Sequence, residues 1–147
     1  MGPEATVQLC MRHVGKRIPK PATDAPAVCQ FVRGLGHEDR ESFLVLHLNV
    51  KNQVIDVDRV AKGTVANVEV EPREVFKAAI LNNAKSLVLV HNHPSGDVAP
   101  SQQDLDLTAR LWKAGELIGI PVHDHVIVAH NQCVSLAARG LLHKGQK

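Results

Sequence analysis

The sequence predicts an α/β domain in which helices sandwich a mixed β-sheet. Two observations lead there: apolar strand-like runs alternate with helical patterns along the chain, and an extended β stretch occupies residues 41–70. Composition agrees, with 44% hydrophobic and 22% charged residues, as in ordinary globular domains. At 147 residues the chain fits one domain that can bury a core without staples. Three Phe, one Trp and no Tyr leave Val, Leu, Ile and Ala to build that core.

Taken in order, residues 1–23 are punctuated by Pro3, Pro19 and Pro21 and read as a flexible tail or linker. Asp24 can cap a helix over 25–34, with Pro26 in its first turn, where the missing N–H costs little. Phe43 to Leu48 is almost continuously apolar, as a strand buried on both faces should be. Asn52 marks a turn, and residues 53–60 alternate as a half-buried strand. A short strand, Val65 to Val70, follows Gly63. Pro72 opens a helix reaching Ala84, with Val75, Phe76, Ala79 and Ile80 on one stripe. Ser86 to His91 is an apolar strand, 92–100 a Pro/Gly/Asp loop, and 102–118 a helix. Val122 to Ala129 is again strand-like, and a short strand or helix closes a domain spanning 24–142, before a polar tail at 143–147.

Charge and cysteine usage exclude several function classes. The formal net charge is only +2, and the basic residues Arg12, Lys16, Arg17 and Lys20 read as a solvated tail. With near-neutral charge and so few aromatics, neither strong phosphate-backbone binding nor base stacking is expected. Cys10, Cys29 and Cys133 are odd in number and widely spaced, which argues against a disulfide framework and a Cys-type zinc finger and fits a reducing compartment. No apolar run is long enough to span a bilayer, and the first twenty residues hold no hydrophobic signal core. A soluble cytoplasmic protein without membrane contact is the expectation.

The chemistry concentrates between His91 and Asp104. Side chains two apart on a strand share a face, about 7 Å apart at the backbone, so His91 and His93 can converge on one ion. Pro94 and Gly96 break the strand, Ser101 stands where a helix begins, and Asp104 falls in that helix's first turn, able to point back toward the imidazoles. Each piece alone has a plainer explanation: Ser101-x-x-Asp104 is close to a capping box, and strand-end histidines are common. Together, two His and one carboxylate leave the fourth tetrahedral position open, the pattern of a zinc ion that activates a water for hydrolysis.

These residues also carry a resemblance. His91-x-His93-Pro94, seven residues between His93 and Ser101, and two between Ser101 and Asp104 resemble the JAMM (MPN+) metalloprotease motif. His91-Asn92-His93-Pro94-Ser95-Gly96-Asp97, Pro72-Arg73-Glu74-Val75-Phe76, Gly63-Thr64 and Ile120-Pro121 before Asp124-His125 are similar to the RadC-like JAB branch, over residues 24–142. The resemblance implies a cytidine-deaminase-like mixed sheet. It implies His91, His93 and Asp104 as ligands of Zn2+, an acid before the first core strand as general base, and Ser101 as a donor to the oxyanion. Glu41 matches the base, with Glu38 and Asp39 as rivals. The reaction implied is hydrolysis of an amide or isopeptide bond in a peptide or protein substrate, which could bind as an added strand.

Two features depart from the family. Longer RadC relatives carry an N-terminal helix-hairpin-helix segment that residues 1–23 are too short to hold, so DNA targeting is not carried over. His123 stands where the family usually has an apolar residue; His123 and His125 could share a strand face, and Asp124 or His125 could orient a ligand from behind. The competing readings are a DNA-associated repair or processing factor and a non-catalytic binding module of the same fold.

Overall fold

All seven residues of Ser42–Leu48 are buried, and so are all seven of Ser86–Asn92, so these two strands form the centre of the protein. The computed structural model describes residues 24–62 and 70–143. Helix α1 (Ala25–Phe31) precedes a 3-10 turn (Arg33–His37); strands β1 (Ser42–Leu48) and β2 (Val54–Lys62) follow. Then come helix α2 (Pro72–Leu81), strand β3 (Ser86–Asn92), helix α3 (Gln102–Ile118), and strands β4 (Val122–Ala129) and β5 (Gln132–Ser135).

The sheet order is β2-β1-β3-β4-β5. Neighbours are antiparallel except β3 and β4, which are parallel and joined through α3. Strand alternation sorts the core into two layers. Leu44, Leu46, Leu48, Val88, Val90, Val126 and Val128 pack with Val28, Val32 and Leu35 from the α1 side. Phe43, Val45, Leu87, Leu89 and Val122 pack with Val75, Phe76, Ala79 and Leu111 from α2 and α3. The expected mixed sheet between helices is therefore present.

Local chemistry sets most boundaries. The Asp24 side chain accepts from the Ala27 N–H, starting α1 as expected. The helix ends at Phe31, short of the expected residue 34, because the chain tightens into the 3-10 turn. Gly36 is required there: a Cβ would lie 2.3 Å from the carbonyl oxygen of His130, whose N–H donates to Gly36 O at 2.7 Å. Helix α2 stops at Leu81 rather than Ala84, and Asn83 follows with a left-handed φ of 52°. Ile80, expected on its buried stripe, is 58% exposed, whereas Val75, Phe76 and Ala79 are buried. Strand β2 is outermost among the described strands and is bulged: its register with β1 shifts beside Leu48 and beside Phe43, which breaks the simple alternation expected over 53–60. The expected strand Val65–Val70 lies, apart from buried Val70, outside the described residues, as do residues 1–23 and 144–147.

One expectation is overturned. Cys29 on α1 and Cys133 on β5 form a disulfide across a sequence separation of 104. Their distance along the chain hid a pairing that the tertiary fold creates, so cysteine usage no longer argues for a reducing compartment. Among the described residues no helix is long and apolar enough to cross a membrane.

Candidate metal centre

The site forms where β3 runs out of the sheet and α3 begins. His91 is the last residue of β3 with partners on both sides, Phe43 of β1 and Ile127 of β4. Its ring lies on the α3 side, tilted against Phe43 at a centroid distance of 5.8 Å. His93 continues the strand's direction, held by its N–H to Val128 O at 2.8 Å. The chain then turns through Gly96, and Ser101 caps α3. The cap is a reciprocal box: Ser101 Oγ accepts from Asp104 N–H at 3.1 Å, and Ser101 N–H donates to Asp104 Oδ2 at 2.8 Å. Capping thus fixes the carboxylate that faces the histidines.

The structure brings together the three residues expected to meet. His93 Nε2 lies 2.9 Å from Asp104 Oδ2, and His91 Nδ1 lies 3.2 Å from Asp104 Oδ1. One ligand atom from each of His91, His93 and Asp104 lies within 4.8 Å of the others. Both ring nitrogens of His91 are buried and face a carboxylate, Asp104 at 3.2 Å and Glu41 at 3.7 Å, without a well-aligned hydrogen bond to either, an arrangement that a cation between the rings and the Asp104 carboxylate would satisfy. Two imidazoles and one carboxylate, converging at the wall of a cleft of about 660 Å³, could hold a metal ion. Nδ1 of His93 donates to Asp97 O at 2.8 Å, which directs Nε2 inward.

Without a metal, protons occupy this arrangement. Burial alone would depress His91, yet its contacts with Asp104 and Glu41 outweigh that and push it up to about 9. The hydrogen bond to Asp104 raises His93 against a smaller opposing effect of burial. Burial would raise Asp104, but His91, His93 and the Ser101 N–H together hold its carboxyl well below the ordinary carboxylate range.

Of the three acids before β1, only Glu41 lines the cleft, with Oε2 3.7 Å from His91 Nε2. Glu38 is buried away from the cleft and Asp39 is exposed. Ser101 also lines the cleft. The residues 123–125 divide. His123 falls at a register shift between β3 and β4 and joins no metal-competent group among the described residues. Asp124 ties down the end of β5 and the turn after it, accepting from Ser135 Oγ and Ala137 N–H. His125 is fully buried behind the site, its ring stacked 6.3 Å from that of His91, and burial drives its pKa down to about 3. Its Nδ1 lies 2.5 Å from Thr108 Oγ1, which donates to Asp104 O at 2.6 Å.

Four contributors were not singled out from the sequence. Asn92 and Thr108 are buried polar residues, and polar side chains inside a buried strand or on a helix's inner face must find partners; that signal was available. The Asp97 carbonyl acts through the turn of its own loop, four residues beyond His93, and the His130 ring packed on Gly96 acts through tertiary approach, which no local pattern encodes.

Against known proteins, the family profile described as RadC-like JAB domain matches residues 22–141. The chain belongs to the RadC-like JAB domain family. A UPF0758 protein of Desulforudis audaxviator is 47% identical over 127 residues, covering 86% of this chain and 55% of its own length. UPF0758 proteins of Desulforamulus reducens and Symbiobacterium thermophilum are 53% and 50% identical, covering 71% and 74% of this chain and 46% of each relative. This RadC-like JAB domain thus spans about half the length of the curated relatives it matches.

Proposed function

We propose that this RadC-like JAB domain is a zinc-dependent hydrolase that cleaves an amide or isopeptide bond. The observation that carries the reading is the convergence of His91, His93 and Asp104 at the wall of an open cleft, with the Glu41 carboxylate beside them. Zinc would supply Lewis acidity, drawing the pKa of a water in the open position down to about 7 and polarising the scissile carbonyl.

The chain's own residues supply the rest. Glu41 takes a proton as water adds to the carbonyl carbon, then delivers it to the nitrogen as the C–N bond breaks. Ser101 Oγ already accepts from the Asp104 N–H, so its hydroxyl proton can point into the cleft toward the developing oxyanion. The bulged strand β2, outermost among the described strands, passes beside Phe43 and could align an extended peptide as an added strand. Cleft charge favours a peptide over a nucleic acid: Glu71, Asp97 and Asp106 stand on its walls, and Arg110 pairs with Glu71 at 3.8 Å.

The test combines metal analysis with cleavage of a peptide library. Purified protein is expected to hold about one zinc, and Glu41→Gln to keep that zinc while losing about 100-fold or more in rate. Cleavage by Glu41→Gln at the wild-type rate would remove Glu41 as the base; absence of zinc binding would remove the reading altogether.

A further inference from the structure

Asn92 stands between the two candidate ligands, His91 and His93, and strand alternation sends its side chain to the opposite side from theirs. It is fully buried. The β1–β3 ladder pairs residues as far as Phe43 and His91, and at the next position the Asn92 side chain takes over from backbone pairing. Asn92 Oδ1 accepts from the Ser42 N–H at 2.6 Å, and Nδ2 donates to the Arg40 carbonyl at 2.9 Å. The two backbone partners allow only this orientation of the amide, because an N–H must meet its oxygen and a carbonyl its NH2 group. Glu41 is the residue bracketed by those contacts. Its carboxylate reaches 3.7 Å from His91.

We infer that Asn92 is the positioning residue for Glu41: its carboxamide grips the backbone on both sides of the base and locks it to the strand that carries the metal ligands. This rests on the reading of Glu41 as base. The link is short and stiff, since a single residue of β3 joins the ligands to the base without passing through the cleft. Loss of the amide releases the Arg40 carbonyl and leaves Ser42 held only by its pairing with Lys62 of β2, so the base moves while His91, still paired to Phe43 and Ile127, stays. A group that served only to satisfy two buried backbone atoms would affect stability and nothing at the metal.

A double-mutant cycle on the cobalt(II)-loaded protein separates these cases, with Asn92→Ala, Glu41→Gln and the pair compared by the pH midpoint of the visible cobalt spectrum. The expected result is a shift in Glu41→Gln, a shift of the same sign in Asn92→Ala, and no further shift in the double variant. In the metal-free protein, amide exchange at Ser42 is expected to quicken about tenfold in Asn92→Ala while the rest of β1 stays protected, the size of one lost hydrogen bond. If Asn92→Ala does not fold, Asn92→Ser serves in its place. A midpoint unmoved by the Asn92 variant while Glu41→Gln moves it, additive shifts, or faster exchange throughout β1 would overturn the inference and leave the hydrolase reading standing. An unmoved midpoint in Glu41→Gln would overturn the inference together with Glu41 as the base.

Discussion

The Nδ1 nitrogen of His93 donates to the backbone carbonyl of Asp97, 2.8 Å away, and the other ring nitrogen consequently faces Asp104. A carbonyl can only accept, so this contact alone decides which nitrogen is available to a metal. The orientation of a candidate ligand just beyond β3 therefore depends on the conformation of the loop that follows it.

That loop turns at Gly96, whose φ of +88° suits glycine, and a Cβ there would lie 2.6 Å from Cε1 of His130. Gly96→Ala is expected to destabilise the protein by about 1–2 kcal/mol and, by displacing the Asp97 carbonyl, to weaken zinc binding about tenfold or more. His130→Ala in the same background relieves the contact but not the backbone strain, so recovery is partial. Urea unfolding and competition with a chromophoric chelator measure the two effects; wild-type affinity in Gly96→Ala would show that the loop does not orient His93.

Zinc binding is expected to be proton-coupled. In the metal-free protein His91 is pushed up to about 9 from an ordinary 6.5, so zinc must displace its proton across that interval. Affinity should rise at least about tenfold per pH unit up to about 9, more steeply at the acid end where His93, also raised, must lose its proton too, and then level off. The stability of the metal-free protein runs the other way. A folded-state pKa above the unfolded one gives stabilisation that is complete below pH 6.5 and lost as pH rises through about 9. Chelator competition and urea midpoints across this range check both slopes; a flat affinity profile would contradict the coupling.

The parts of this architecture that local chemistry dictates were readable from the chain. Ser101 and Gly119 bracket α3 as N-cap and left-handed C-cap, and the continuous apolar runs of β1 and β3 announce strands buried on both faces. The His91, His93 and Asp104 cluster was readable because its members lie within one strand–loop–helix unit. Contacts between distant segments were not. The Cys29–Cys133 bond joins α1 to β5, the Gly36–His130 approach ended α1 early, and the β2 bulges answer to β1 rather than to their own residues. Glu41 stood among three acids, and only the fold turns one of them into the cleft.

Ser101 carries two separable duties. Ser101→Ala removes the N-cap of α3 and should cost about 1 kcal/mol of stability. Loss of its hydroxyl donor should also slow cleavage about 100-fold with zinc still bound. Parallel measurements of thermal midpoint, zinc content and peptide cleavage separate the two; a rate within about twofold of wild type would leave Ser101 as a cap alone.

Reduction of the Cys29–Cys133 bond should lower stability by up to about 4 kcal/mol, because it reopens a long ring in the unfolded chain. Urea unfolding with and without reductant reads this directly. In the Cys29→Ser/Cys133→Ser variant the reductant should have no effect, and a wild-type protein equally indifferent to reductant would show the bond to be absent or without weight.

The sheet's connectivity also sets an order of assembly. His93 and Asp104 are 11 residues apart, whereas the grip of Asn92 on Ser42 spans 50. Closing the longer segment costs about 1 kcal/mol more in chain entropy. A nascent chain can therefore bring His93 and Asp104 together while β1 is still unpaired, and Glu41 joins them only when the two central strands pair. On the proposed hydrolase reading, a cation captured early would stay chemically idle until then, and a half-folded molecule would lack the means to cut its neighbours.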